Sequence, residues 1–294
     1  MHQKINEPIN INDVCVLLIG FNRPDLLRKR IDEIYKSKVR NLQISIDGGH
    51  KSSYKKMESL IEYARSKFES LDFFNINYHG TNLGQVRHIT MQVSNIFSQF
   101  KYVIVIEDDI KISSSFMVNM INGLNIQRDN GYLGIVSGFS PLHFKYFTNM
   151  WRKSDYPFLW GWACSIDVWD RYTFDLSSIS LESSLAKSKT WNGLNSKQKS
   201  NWISRFKKVQ ADPYRTWDYQ MAYISFRFDF LNLAPLYSMV GNEGFNDHRS
   251  TNTKSKKPRL VTTKNINNGV INKELKSSTR FFNFMDKFYM NDLD

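Results

Sequence analysis

The sequence predicts an α/β fold: a mostly parallel, doubly wound sheet carrying an aromatic-rich second half. Three observations point there. Two unbroken apolar runs, residues 14–20 and 102–106, read as strands buried on both faces. Strand-like runs alternate with stretches of helical spacing through the first 140 residues. Three of the runs end in polar residues: Asn22-Arg23, Asp47 with two glycines, and Glu107-Asp108-Asp109. Sheets of this kind bind ligands just beyond the carboxyl ends of their strands.

Residues 1–12 form a polar lead-in. The strand 14–20 leads into a turn at Phe21-Asn22-Arg23-Pro24, and Pro24 suits the first turn of a helix. Leu26, Leu27, Ile31 and Ile34 hold helical spacing to about residue 36. A second strand, 42–46, stops at Asp47-Gly48-Gly49-His50, where glycine permits a sharp turn beside a ligand. A helix follows over 53–68, a strand over 73–78, a loop over 80–84 and a helix over 85–100. The strand before Glu107 is followed by a helix over 113–127, started by the serines at 113–115, and a strand over 133–137.

Residues 13–140 thus make one half of the domain and 141–252 the other. The second half is crowded with rings, among them Phe144, Tyr146, Phe147, Trp151, Trp160, Trp162 and Trp169. Residues 177–208 are polar and read as one helix with flanking loops; 214–228 is an aromatic helix; 231–237 is a strand. Residues 253–294 form a basic tail ending in the apolar cluster 281–285. No internal repeat is present.

Composition narrows the function. Hydrophobic residues make up 41% of the chain, which excludes global disorder. The net charge of +12 suits an anionic partner, although solubility alone accounts for it equally well. There is no nucleic-acid-binding signature, so no nucleic acid is expected. Cys15 and Cys164 are isolated, giving neither a disulfide framework nor a zinc site, and a reducing compartment is expected. No Gly-x-Gly-x-x-Gly and no P-loop lysine occur, which disfavours dinucleotide dehydrogenases and P-loop NTPases.

The candidate site follows from the strand ends. Three adjacent carboxylates repel one another unless compensated. A hard divalent cation, Mn²⁺ or Mg²⁺, shared with a phosphate-rich substrate would compensate them; a solvated acidic turn is the alternative. Arg23, Asp47 and Glu107–Asp109 fall at one edge of the predicted sheet, and His88 opens a helix that reaches it. Asp47 before glycine is also an ordinary turn residue, and His88 also reads as a core histidine. Trp160-Gly161-Trp162 can wall a sugar site or fill the core.

With these residues in view, the chain resembles a GT-A glycosyltransferase, most of all the N-acetylglucosaminyltransferase I type and related bacterial polysaccharide enzymes. The matching stretches are Phe21-Asn22-Arg23, residues 45–50, Val86-Arg87-His88, Val105 to Asp109, Trp160-Gly161-Trp162 and Trp217-Asp218, in family order. The resemblance implies that Asp109 holds Mn²⁺ or Mg²⁺, with Glu107 and Asp108 near ribose and phosphate. It sets Arg23, Asp47 and His88 around the uridine and diphosphate, and makes His248 a further candidate for the metal. It makes Asp218 the catalytic base and puts Trp160, Gly161, Trp162 and Trp217 on the acceptor side.

The base chemistry is simple: one carboxylate takes the proton of the acceptor hydroxyl as its oxygen attacks the anomeric carbon. Asp218 between Trp217 and Tyr219 has apolar company that favours such a role, and a helix cap is the alternative. The expected activity is metal-dependent, inverting transfer from a nucleotide-sugar, expected to be a UDP-sugar. The acceptor would be a saccharide or lipid-linked oligosaccharide. The family's animal members carry a membrane anchor, so a cytoplasmic bacterial enzyme building surface glycan is expected, with the basic tail either touching an anionic membrane or packing on its own domain. Retaining transfer, another donor nucleotide, or a non-catalytic nucleic-acid- or glycan-binding protein are the rival expectations.

Overall fold

A computed structural model describes residues 7–49, 54–141, 150–247, 249, 269–271, 275–276 and 286. Four strands open the fold: β1 (Val14–Gly20), β2 (Asn41–Ile46), β3 (Phe73–Tyr78) and β4 (Tyr102–Glu107). They are linked by helices α1 (Pro24–Lys36), α2 (Tyr54–Phe68) and α3 (Gln85–Ile96). All four strands run parallel, side by side in the order β3-β2-β1-β4. Continuous burial of β1 along both faces explains its unbroken apolar run.

Past the acidic triplet come β5 (Ile110–Ile112), α4 (Phe116–Asp129), β6 (Val136–Ser137), β7 (Trp151–Ser154) and β8 (Trp162–Ser165). Then follow α5 (Ile166–Trp169), α6 (Leu181–Leu185), α7 (Lys189–Asn192), α8 (Ser196–Ala211), α9 (Asp218–Arg227), β9 (Asn232–Pro235), β10 (Val240–Asn242) and β11 (Leu275–Lys276). Among the described residues the main sheet has nine strands, ordered β11-β7-β9-β6-β8-β4-β1-β2-β3. It is α/β and mixed: β8 runs antiparallel to both β4 and β6, and β7 antiparallel to β9. Hydrogen bonds from β4 to β8 join the two predicted halves into one sheet.

The register assigns each helix to a face. Gly20 meets Leu27 of α1, Phe74 meets Phe68 of α2, and Val136 meets Gly123 of α4, so these helices cover one face. Ser45 meets His88 of α3, Trp162 stacks on Trp169 of α5, and Asn232 bonds Ser225 of α9 on the other. Glu107 is in register with Ile19 on this second face.

The first half follows the expected order closely; the second does not. β7 (Trp151-Arg152-Lys153-Ser154) and β8 (Trp162-Ala163-Cys164-Ser165) are four-residue strands, too short to show a period. The polar stretch 177–208 holds α6, α7 and the start of α8 instead of one helix, with α8 begun by an Asn195–Gln198 capping box. Ser115 stands at the N-cap position of α4 but makes no side-chain cap bond.

His50, Phe144, Tyr146, Phe147, His248, the apolar cluster 281–285 and most of the basic tail lie outside the described residues. The described tail residues contact the domain. Ile271 is buried and donates its N–H to Asn119, β11 pairs with β7, and Asp286 forms a buried ion pair with Arg152. Among the described residues no helix is long and apolar enough to cross a membrane.

Candidate functional site

Glu107 is the last residue of β4, and Asp108 and Asp109 make the turn into β5. The three side chains part ways there. Glu107 points to the α3 face, where Gln85 Nε2 donates to it at 3.5 Å. Asp108 is buried and accepts from the Phe21 N–H at 3.3 Å and from Arg23. Asp109 accepts from Arg23 Nη1 at 3.1 Å. Arg23 follows β1, so one guanidinium from the neighbouring strand end bridges two acids of the triplet.

One cation faces three carboxylates in a largely buried setting. Burial, followed by the charges of Asp109 and Asp108, pushes Glu107 up to about 8. Burial raises Asp108 to about 6 against the opposing pull of Arg23, and raises Asp109 in the same way. Burial opposes the charge on Arg23, but Asp108 and Asp109 outweigh it and hold its pKa above the ordinary value. Arg23, with a weaker pull from Arg30 on Asp109, therefore does not fully offset the burial and mutual repulsion of the three acids, and the tip retains a proton that an added cation would favour releasing.

The residues suit a hard cation with a diphosphate. Every donor at the tip is an oxygen, the type Mg²⁺ and Mn²⁺ prefer. Among the described residues no three acid, imidazole or thiol groups converge on one point. An ion would therefore take one or two of these carboxylates, with phosphate and water oxygens completing the shell, as Mg²⁺ usually does. Among the described residues Arg23 Nε is buried without a partner, a donor suited to an anionic oxygen.

A loop closes over the tip from the far half. β10 pairs antiparallel with β5, the Glu243 N–H donates to the Asp109 carbonyl at 2.8 Å, and Gly244 lies against the Asp109 carboxylate. A Cβ on Gly244 would stand 2.3 Å from Asp109 Oδ2, so a side chain here would displace the carboxylate held by Arg23. The polar loop 241–247 gave little sign of this role beyond its two glycines.

Asp47 and His88 sit below this edge as fasteners. The Asp47 carboxylate accepts the N–H groups of Gly48, Leu83 and Gly84 at 2.9, 2.8 and 3.1 Å, tying the loop before α3 to the end of β2. His88 is 2% exposed, bonds Ser45 Oγ at 2.7 Å and meets the edge of His79. Burial, the larger cause, and His79 push it down to about 4 despite Asp47, so it is neutral at pH 7. The expected core-histidine alternative describes its surroundings.

On the α3 face Trp162 lies opposite Val105, two residues before Glu107. It is 1% exposed and sandwiched between Trp169 and Trp217, with ring centroids 6.3 and 5.4 Å away. Both faces are thus occupied, and neither Trp162 nor the buried Trp217 offers a wall to a sugar. Gly161, at φ +55°, makes its close approach to Val240 and Phe116 in the core. Trp160 alone of the four is half-buried, edge-on to Phe139 and Phe245.

Asp218 opens α9 directly after Trp217. The chain passes from α9 into β9, which runs parallel to β6 and so in the direction of β4. The N-terminus of α9 therefore lies at the sheet edge where β4 ends. Asp218 is half-buried; burial raises its pKa, and the Thr216 hydroxyl, nearby backbone N–H groups and Arg205 only partly offset this. Asp218 and Glu107 share a face and an edge, with Trp162 and Trp217 packed beneath. His248 is not among the described residues.

No protein-family model matches the chain, and no curated protein matches it. Many solved structures align with it, two of them as follows. A mannosyltransferase from Pyrobaculum calidifontis, in complex with GDP-Man and Mn²⁺, aligns over 74% of this chain and 71% of its own. The identity is 11% and the TM-score 0.44. A 4-diphosphocytidyl-2C-methyl-D-erythritol synthase from Anaerococcus prevotii aligns over 68% of this chain and 84% of its own, at 12% identity and a TM-score of 0.36. At TM-scores below 0.5 neither likeness assigns an activity to the chain.

Proposed function

We propose that the chain transfers a sugar from a nucleotide-sugar to a saccharide acceptor with inversion, using a divalent cation. One observation carries the reading: an under-neutralised acidic tip and a half-buried aspartate of raised pKa share one edge and face of the sheet. The two ends of such a reaction need opposite chemistry. The leaving diphosphate needs positive charge, and the acceptor hydroxyl needs a base.

Asp218 takes the proton of the acceptor hydroxyl. Its oxygen forms the new bond to the anomeric carbon while the bond from that carbon to the diphosphate oxygen breaks. The electron pair leaves with the diphosphate. Arg23 donates to it through the free Nε while still holding Asp108 and Asp109, which keeps those acids oriented. When bound, Mn²⁺ or Mg²⁺ at Asp109, with Asp108 beside it, neutralises charge building on the leaving group. Gly244 and the loop around it cover this end of the site.

The donor nucleotide is read as uridine from the resemblance alone, and the acceptor as a growing surface polysaccharide or glycolipid. The test is titration of UDP with and without Mn²⁺, followed by mass spectrometry of products from a panel of nucleotide-sugars. Mn²⁺-dependent UDP binding that disappears in Asp109→Ala is expected. Binding of UDP that ignores the metal and Asp109→Ala, with no product from any donor, would overturn the reading.

A further inference from the structure

We propose that the groove between α3, the segment after α5 and the turn before α9 takes the sugar rings of the acceptor that lie behind the reacting one. This rests on the transfer reading for its place in a reaction, but its evidence is separate. The groove has a volume of about 640 Å³, within the range of about 300–1,000 Å³ typical of small-molecule sites.

Its floor is aromatic and its rim polar. Trp169, Tyr172, Phe174 and Tyr214 supply rings; Arg87 and Thr90 supply polar groups from α3. Tyr172 stacks on Trp169 at 4.6 Å, and Phe174 stands edge-on to Tyr214 at 5.0 Å, so the rings brace one another. Tyr214 is 47% exposed, so part of its ring is open to the groove. The exposed Arg87 guanidinium lies 4.3 Å over that ring, at the edge of the groove.

A pyranose has an apolar C–H face and a rim of hydroxyls, the complement of this surface. A lipid tail would favour an enclosed apolar slot, and a peptide strand would need an open sheet edge; the groove has neither character. One of its residues also reaches the neighbourhood of the proposed base. The Tyr172 hydroxyl donates to the Trp217 carbonyl at 3.2 Å, one residue from Asp218, and Tyr214 lies four residues before Asp218 on the same turn. An oligosaccharide whose terminal hydroxyl meets Asp218 would run its next rings over Tyr172 and Tyr214.

The test uses the full chain with Mn²⁺ and UDP present, probed with chitotetraose and with tetragalacturonic acid by saturation-transfer NMR and isothermal titration. At least one probe should bind, roughly tenfold more weakly in Tyr214→Ala and in Arg87→Ala, while Tyr214→Phe retains affinity because the ring face does the work. Failure of both probes to bind overturns the groove, as does binding that Tyr214→Ala leaves intact. Release of UDP from nucleotide-sugars is followed in parallel. If no donor is consumed while a probe binds as described, the transfer reading falls and the groove stands as a glycan site.

Discussion

The Arg23 guanidinium spans Asp108 and Asp109, with Nη1 3.1 Å from Asp109 Oδ2 and Nη2 on Asp108. It comes from the end of β1 and they come from the end of β4, so two parallel neighbours meet at one charge cluster. Arg23→Leu would remove the only guanidinium bonded to these two acids among the described residues. Its charged hydrogen bonds to a diphosphate are worth about 1.5–3 kcal/mol. The Kd for UDP with Mn²⁺ should rise by roughly 10- to 100-fold, read by isothermal titration. An unchanged Kd would remove Arg23 from the diphosphate site.

The same cluster makes cation binding depend on pH. Without metal, Glu107 is pushed up to about 8, well above its ordinary 4.5. Between those values the folded chain holds a proton that the unfolded chain has lost, so stability falls as pH rises through the window. A divalent cation at Asp109 and Asp108 would favour the charged form of the neighbouring Glu107, so it should bind more readily at high pH, once that proton has left. The thermal stabilisation by Mn²⁺ should therefore be larger at pH 8.5 than at pH 6. Glu107→Gln should flatten the dependence, and a shift equal at both pH values would count against the cluster.

The first four strands and their helices were legible because their signals were local. Val14 to Gly20 is apolar throughout since both faces are covered, and Glu107 to Asp109 stand out as charges where a buried strand ends. Tertiary contacts decided the rest. Trp162 and Trp217 have the composition of a sugar wall, yet each is stacked against another ring in the core. Asp47 reads as a ligand or a turn from its neighbours, and only the approach of Leu83 and Gly84 reveals three N–H groups on its carboxylate. Gly244 is one of two glycines in a polar stretch, and its role shows only once β10 is paired with β5.

Asp218 gives the sharpest test of chemistry against structure. Asp218→Asn keeps the shape and the hydrogen bond from Thr216 but cannot accept a proton. Loss of a general base typically slows turnover by about 10²–10⁴-fold. UDP affinity should be unchanged while kcat falls by that factor. Transfer at the normal rate in this variant would reassign the base, and Glu107, on the same face and edge, would be the next residue to examine.

The pair Arg152–Asp286 gives a prediction about stability alone. Arg152 lies in β7 and is 0% exposed; Asp286 is 1% exposed and holds it through two contacts of 2.6 Å, with Ser154 Oγ adding a third donor at 2.7 Å. Removing one member of a buried pair costs about 3–5 kcal/mol, because the remaining charge loses this ion pair without regaining water. Asp286→Ala should lower Tm by roughly 10 °C, at about 2–4 °C per kcal/mol for a chain of this size. The double variant Arg152→Met, Asp286→Leu should recover most of that loss, since an apolar pair of similar volume leaves no charge stranded. Both are read by thermal unfolding. Because Asp286 is 134 residues from Arg152 in sequence, a small effect of Asp286→Ala would mean that the tail does not stay docked on β7 in solution.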